Sequence, residues 1–166
     1  MLAGIKLDTR NFAVRTGVRT FEAAAYLRRM GAKTAEVQKL FAEPLEIYAA
    51  KAQLVTSAQI HRGCAVTVAK EGLSADMSVV VPQAANDLLT IQGVSASFVA
   101  VPAGGQIMIS ARSMGEVNVQ VIMEELGGGG HHTMAGAQLK DTDPDEARRL
   151  LVGAIDNYFK KLTQKN

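Results

Sequence analysis

Four consecutive glycines, Gly127 to Gly130, run directly into His131 and His132 in the stretch LGGGGHHTMAG. Glycine loses more backbone freedom on folding than any other residue, so four in a row carry a cost that a single C-cap glycine would avoid. Two readings account for the run. Successive backbone N–H groups can point the same way and let a phosphate approach the chain, or the run is a hinge between a helix and a strand. The surroundings match neither the GxxxxGK pattern of phosphate loops nor a GxGxxG between a strand and a helix, so the standard signatures do not decide. Adjacent histidines in an extended segment point to opposite faces, which disfavours joint chelation of one ion. One of them can instead donate to a phosphate oxygen or stack on a base, while the other packs or faces solvent. Arg112, at the end of ISARS, is a candidate cation for the same ligand because a guanidinium fork matches phosphate geometry; its alternative is a solvated strand-end arginine. Asp8 closes the apolar run GIKLD, a position used for catalytic or metal-binding carboxylates in sheets with a parallel core, although a lone turn aspartate is the commoner case. Arg15 and Arg19, flanking TGV, read as surface charges.

The rest of the composition narrows the field. The chain has 166 residues, 48% hydrophobic and 20% charged, enough for an ordinary globular domain with a core. A formal net charge of +2 does not announce a polyanion partner. The single cysteine, Cys64, excludes an internal disulfide and any CxxC motif, and its place in CAVTV reads as a core thiol. No apolar run approaches the length of a membrane span and no signal peptide is evident, so a soluble, cytoplasmic chain is expected.

These residues need elements to hold them. MLAGIKLD predicts a buried strand ending at Asp8 with no sequential neighbour to pair with. Thr20 to Met30 predicts a helix stopped at Gly31, Thr34 caps a short helix to Leu40, and Pro44 opens a longer one carrying LEIYAAKAQLVTSAQI. In that last helix Leu45, Tyr48, Ala52 and Val55 recur at helical spacing and predict the buried face. Composition shifts near Gly63. CAVTV predicts a strand, and the segment from Ala75 to Ile91 predicts a helix that starts late, close to Pro82. VSASFVAVPAGGQIMISARS reads as an antiparallel hairpin turning at Gly104-Gly105. Val117 to Leu126 predicts a helix burying Val117, Val121 and Met123-Glu124, AGAQLK a short strand, and Asp143, Pro144 and Glu146 the start of a terminal helix.

Together GIKLDT, the following NFAVRTGVRTFEAAAYLRRMGA, ISARS and GGGGHHTMAG resemble the C-terminal part of the DHH phosphoesterase family, in the same order over nearly the whole chain. The similarity is greatest to the membrane-anchored cyclic-di-AMP phosphodiesterase type. The resemblance implies an α/β chain in which residues 1–31 are the end of a DHH catalytic domain, 32–62 a helical linker, and 63–166 a DHH-associated domain with a mixed β-sheet and flanking helices. It implies that Asp8 is the last metal-ligating aspartate of a two-manganese centre whose other ligands are absent from this sequence. It implies that Arg112, Ser113, Gly127, Gly128, Gly129, Gly130 and His131 line the substrate side. The expected reaction of the parent is hydrolysis of cyclic-di-AMP to the linear dinucleotide, with this chain alone inactive; cleavage of short oligoribonucleotides, or non-catalytic binding of nucleotide or RNA, are the alternatives. Expected partners are a cyclic dinucleotide or short oligonucleotide, the N-terminal DHH domain, and a second copy in a homodimer. The parent is expected at the cytoplasmic face of the membrane, without direct membrane contact by this chain. The second histidine and Met134, where a smaller residue is usual, depart from the family pattern.

Overall fold

The computed structural model describes residues 1–9, 11–13, 16–72 and 76–164, so Arg15 and the expected helix start at Ala75 lie outside the described residues. The chain divides into two compact units, Met1–Pro44 and Leu45–Asn166.

The first unit is helical: α1 (Leu2–Asp8), α2 (Val18–Arg29) and α3 (Thr34–Lys39). The expected N-terminal strand is therefore a helix. Its residues are mostly good helix formers, and a short run rich in apolar residues does not by itself separate the two periodicities. The helix leaves Leu7 and Asp8 exposed and buries Leu2. Thr9 closes it, its N–H bonding to the Ile5 carbonyl at 3.0 Å and its Oγ1 to the same oxygen at 2.6 Å. Asn11 and Phe12 then take left-handed conformations (φ 58° and 66°), and the Phe12 ring stacks on Phe21 at 5.4 Å. α2 buries no residue within the structure, and Arg19 on it is exposed.

The second unit is built on a six-stranded sheet. In chain order it comprises α4 (Leu45–Thr56), β1 (Gln59–His61), β2 (Cys64–Val68), α5 (Met77–Leu88), β3 (Ala96–Ala103), β4 (Gln106–Ser113), α6 (Val119–Glu125), β5 (Gly129–His131), β6 (Met134–Lys140) and α7 (Pro144–Thr163). The strand order is β1-β2-β3-β4-β6-β5, with β2 and β3 parallel and every other pair antiparallel, so the expected mixed sheet with flanking helices is what forms. One face buries Val66, Phe98, Ala100, Ile107, Ile109, Ala111, Ala135, Ala137 and Leu139 against α6 and α7. The other face buries Ala65, Val99 and Val101 against α4 and α5.

Several elements differ from expectation. α4 ends at Thr56, short of the expected Ile60, and β1 follows as a three-residue edge strand. Its buried residues are Ala50 and Leu54, while Leu45 and Tyr48 are exposed, because the face that meets α5 and β2 lies a fraction of a turn from the expected stripe. α5 begins well before Pro82. Asp76 caps it, accepting from Ser78 N at 2.9 Å. An internal proline costs about 3 kcal/mol. Complete burial of Val80, Val81 and Leu88, each worth roughly 1.5–3 kcal/mol, outweighs it. In α6, Val119, Ile122 and Met123 are buried, whereas Val121 is 40% exposed and Glu124 is also exposed, so the inward stripe is shifted. The β3–β4 hairpin and the Asp143-capped α7 form as the sequence predicts, with Asp143 Oδ1 accepting from Glu146 N at 2.7 Å.

Candidate functional site

The register places the chemistry-bearing residues in one row. Arg112 of β4 is directly opposite Met134 of β6, and Met134 is directly opposite His131 of β5. Directly opposed residues in antiparallel strands share a face, so these three side chains lie side by side, with backbones spanning about 10 Å. The next row inward on that face is Ser110, Gly136 and Gly129. The face is the one opposite Ile109, Ala111, Ala135 and Ala137, which are committed to the core. On β6 it is open: Met134, Gln138 and Lys140 are exposed while Ala135, Ala137 and Leu139 are buried. The result is a floor of small residues walled on one side by a cation, a thioether and an imidazole.

Arg112 is half-buried and turned along its own strand. Its Nη1 donates to Ser110 Oγ at 3.1 Å and to the Ala111 carbonyl at 2.9 Å. The two bonds hold the guanidinium over the small-residue floor. Ser113 goes elsewhere: it is 2% exposed, and its Oγ accepts from Gly115 N at 2.8 Å, so it shapes the turn after β4 instead of reaching the open face.

The glycine run divides into different tasks. Gly127 (φ 75°) follows α6 in the left-handed region that ends helices, its N–H on the Glu124 carbonyl at 3.0 Å. Gly128 lies so close to β6 that a Cβ would sit 2.1 Å from the Gly136 carbonyl oxygen and 2.7 Å from Ala137 Cβ. Gly130 (φ 147°) would place a Cβ 2.5 Å from Ala135 Cα. Gly129 alone of the four combines an ordinary backbone with open space where a side chain would stand. Helix ending and close strand packing explain the other three; among the described residues nothing within 4 Å of a Cβ at Gly129 accounts for it. The segment is therefore not a loose turn, because Gly129–His131 is a strand paired with Met134–Gly136.

His131 is exposed at the end of this row. His132, next in sequence, points away, and its Nε2 bonds to the Gly115 carbonyl at 2.8 Å. The two rings diverge as expected, and His132 has a partner that the sequence did not show. Asp8 is exposed at the end of α1, in the other unit. Among the described residues no three His, Cys, Asp or Glu side chains cluster as a metal site, so these residues do not fit a metal centre of their own. Cys64 is fully buried, and burial pushes its thiol up to about 11. It is the core thiol its sequence context suggests.

A profile of the DHHA1 domain matches residues 63–161. The chain belongs to the DHH phosphoesterase family. This DHH-family chain is 51% identical over 161 residues to the cyclic-di-AMP phosphodiesterase GdpP of Geobacillus thermodenitrificans, covering 96% of the chain and 24% of the relative. It is 46% identical over 162 residues to the cyclic-di-AMP phosphodiesterase PdeA of Listeria monocytogenes, again 96% of the chain and 24% of the relative. It thus spans about a quarter of the length of these curated relatives. An exopolyphosphatase-related protein of Bacteroides fragilis superposes with a TM-score of 0.81 at 18% identity, over 96% of this chain and 49% of that one, which shows a shared fold. No described helix is long and apolar enough to cross a membrane.

Proposed function

We propose that the open sheet face of this chain holds the nucleotide in a bacterial phosphodiesterase that hydrolyses cyclic-di-AMP to the linear dinucleotide. The observation that carries the reading is the register row Arg112–Met134–His131 beside the open backbone of Gly129. Arg112 and His131 supply donors suited to phosphate oxygens, and a guanidinium already fixed by two hydrogen bonds loses little further freedom on binding. Gly129 lets the ligand meet the strand without a side chain between them. The relatives' names supply the substrate, and the row supplies groups that would hold it in line for attack.

The hydrolytic centre is assigned to the DHH domain that the family resemblance implies. Asp8 would contribute one carboxylate to its two manganese ions, and the described residues of this chain do not assemble such a centre alone. This chain's own part is to bind and orient.

The test is kinetic, in the full-length protein carrying this chain. Arg112→Ala removes charge-assisted hydrogen bonds to phosphate, each worth roughly 1.5–3 kcal/mol, and is expected to lower kcat/KM for cyclic-di-AMP by about tenfold to over a hundredfold. Normal kcat/KM in that variant overturns the reading. A preference for linear di- and trinucleotides over cyclic-di-AMP would instead assign the face to short oligoribonucleotides.

A further inference from the structure

The sheet contains three hairpins with two-residue turns, and the one carrying the candidate site is built differently. The β1–β2 turn uses Arg62 (φ 51°) and Gly63 (φ 73°), and the β3–β4 turn uses Gly104 (φ 60°) and Gly105 (φ 76°). Paired positive φ values are the type I′ signature, whose twist matches that of the flanking strands and makes such turns self-supporting. The β5–β6 turn, His132-Thr133, has the same count of residues between its closing pair His131↔Met134, but neither residue has a positive φ. An unprimed two-residue turn splays its strands, so this hairpin needs holding from outside.

The stretch from the last residue of β4 to the first residue of α6 supplies that hold. Ser113 N donates to the Thr133 carbonyl at 3.0 Å, and Val119 N donates to the His132 carbonyl at 3.0 Å. Between these backbone bonds, the His132 imidazole bonds to the Gly115 carbonyl at 2.8 Å; a carbonyl only accepts, so Nε2 carries the proton. The segment is itself anchored. Met114 N donates to the Ser95 carbonyl at 3.1 Å, Ser95 Oγ donates to Glu116 Oε2 at 2.8 Å, and Asn118 N donates to Tyr158 Oη at 2.9 Å. The side chain of His132 is thus the one side-chain link from the turn to this scaffold among the described hydrogen bonds. The turn's closing pair is His131 and Met134, and Met134 is opposite Arg112.

We propose that His132 is a positioning residue: by clamping the turn to the Gly115 carbonyl it fixes His131 and Met134 relative to Arg112, and so sets the geometry of the nucleotide face. The proposal rests on the nucleotide-holding reading above, and its test separates the two. His132→Ala removes the clamp, while His132→Gln keeps a donor at nearly the same reach. In the alanine variant of the 166-residue chain, the Ser113 and Val119 amides should exchange with solvent faster by about threefold to tenfold, the worth of one neutral hydrogen bond. In the full-length protein, KM for cyclic-di-AMP should rise by a similar factor with kcat less affected, and His132→Gln should restore both readouts. Unchanged amide protection in His132→Ala overturns the proposal whatever the nucleotide does. So does an unchanged KM, or a loss of function equal in both variants. If the wild-type full-length protein does not turn over cyclic-di-AMP, the functional reading falls, and the amide exchange alone decides whether His132 clamps the turn.

Discussion

Gly128 and Gly129 are neighbours whose substitution should fail in opposite ways. A Cβ at Gly128 would meet the Gly136 carbonyl oxygen at 2.1 Å, backbone that cannot step aside, so Gly128→Ala should destabilise the domain by about 1–3 kcal/mol through overpacking. That loss appears as a fall in Tm of several degrees. At Gly129 the space is open and the backbone ordinary, and a branched residue suits a strand, so Gly129→Val should leave Tm near wild type. Under the proposed function its methyls would stand where the nucleotide approaches, so kcat/KM of the full-length protein should fall nonetheless. Thermal melts set beside kinetics check the pair, and a Gly129→Val variant with full activity would reduce the run to a packing device. Cys64 offers a second test at this scale. Its folded pKa is raised to about 11, so the neutral thiol favours the folded state fully below the unfolded value near 8.5. That contribution is lost as pH climbs from there through 11. At pH 8 the native thiol should resist a disulfide-exchange reagent and react fully once the chain is denatured, as a titration with that reagent would show.

At the scale of elements, the edge strand β1 is short and depends on its neighbours. The turn after it is joined to α7 through Asp156, which accepts from His61 Nε2 at 2.9 Å and from Arg62 Nε at 2.5 Å. The hydrogen bond from His61, then that from Arg62, holds the Asp156 carboxyl below its ordinary range. A depressed carboxylate stabilises the fold above its unfolded pKa of about 4, and that contribution disappears as pH falls through the folded value. Asp156→Asn should therefore melt below wild type at neutral pH, with the gap closing as pH drops below about 4. A gap that does not narrow at all as pH falls from neutral to the acid limit of the fold would mean the contact is not electrostatic. The same element shows why part of the fold was hidden in the sequence. Hairpin β3–β4 and α7 announce themselves through local chemistry, Gly104-Gly105 in one and the Asp143-Pro144-Glu146 cap in the other. β1 and β5 have three residues each and no internal period, so only pairing with β2 and β6 defines them. The candidate site was half legible for the same reason. Arg112, His131 and the glycines stand out by type, whereas the place of Met134 between Arg112 and His131 is a property of register, and the bond from His132 to Gly115 is a property of a turn with no local signature.

For the whole molecule, the two units differ sharply in how they are held. Among the described residues, the second contains both apolar clusters, with Phe98, Leu88, Leu151 and Ile155 fully buried. The first buries Leu2 and Thr9, while α2 buries none of its residues and Phe21, Tyr26 and Met30 are more than half exposed. Helices of seven, twelve and six residues are too short to persist in water without a packed face. Opening of the first unit should therefore cost far less than opening of the sheet, and the two should not unfold as one transition. Amide exchange on the 166-residue chain should show residues 2–39 exchanging early and β3, β4 and α7 exchanging only through global unfolding. A chain beginning at Leu45 should keep the main thermal transition of the longer one, since neither apolar cluster includes a described residue before that point. If removing residues 1–44 abolished the transition, the sheet would depend on the helices before it, and the independence of the second unit would be refuted.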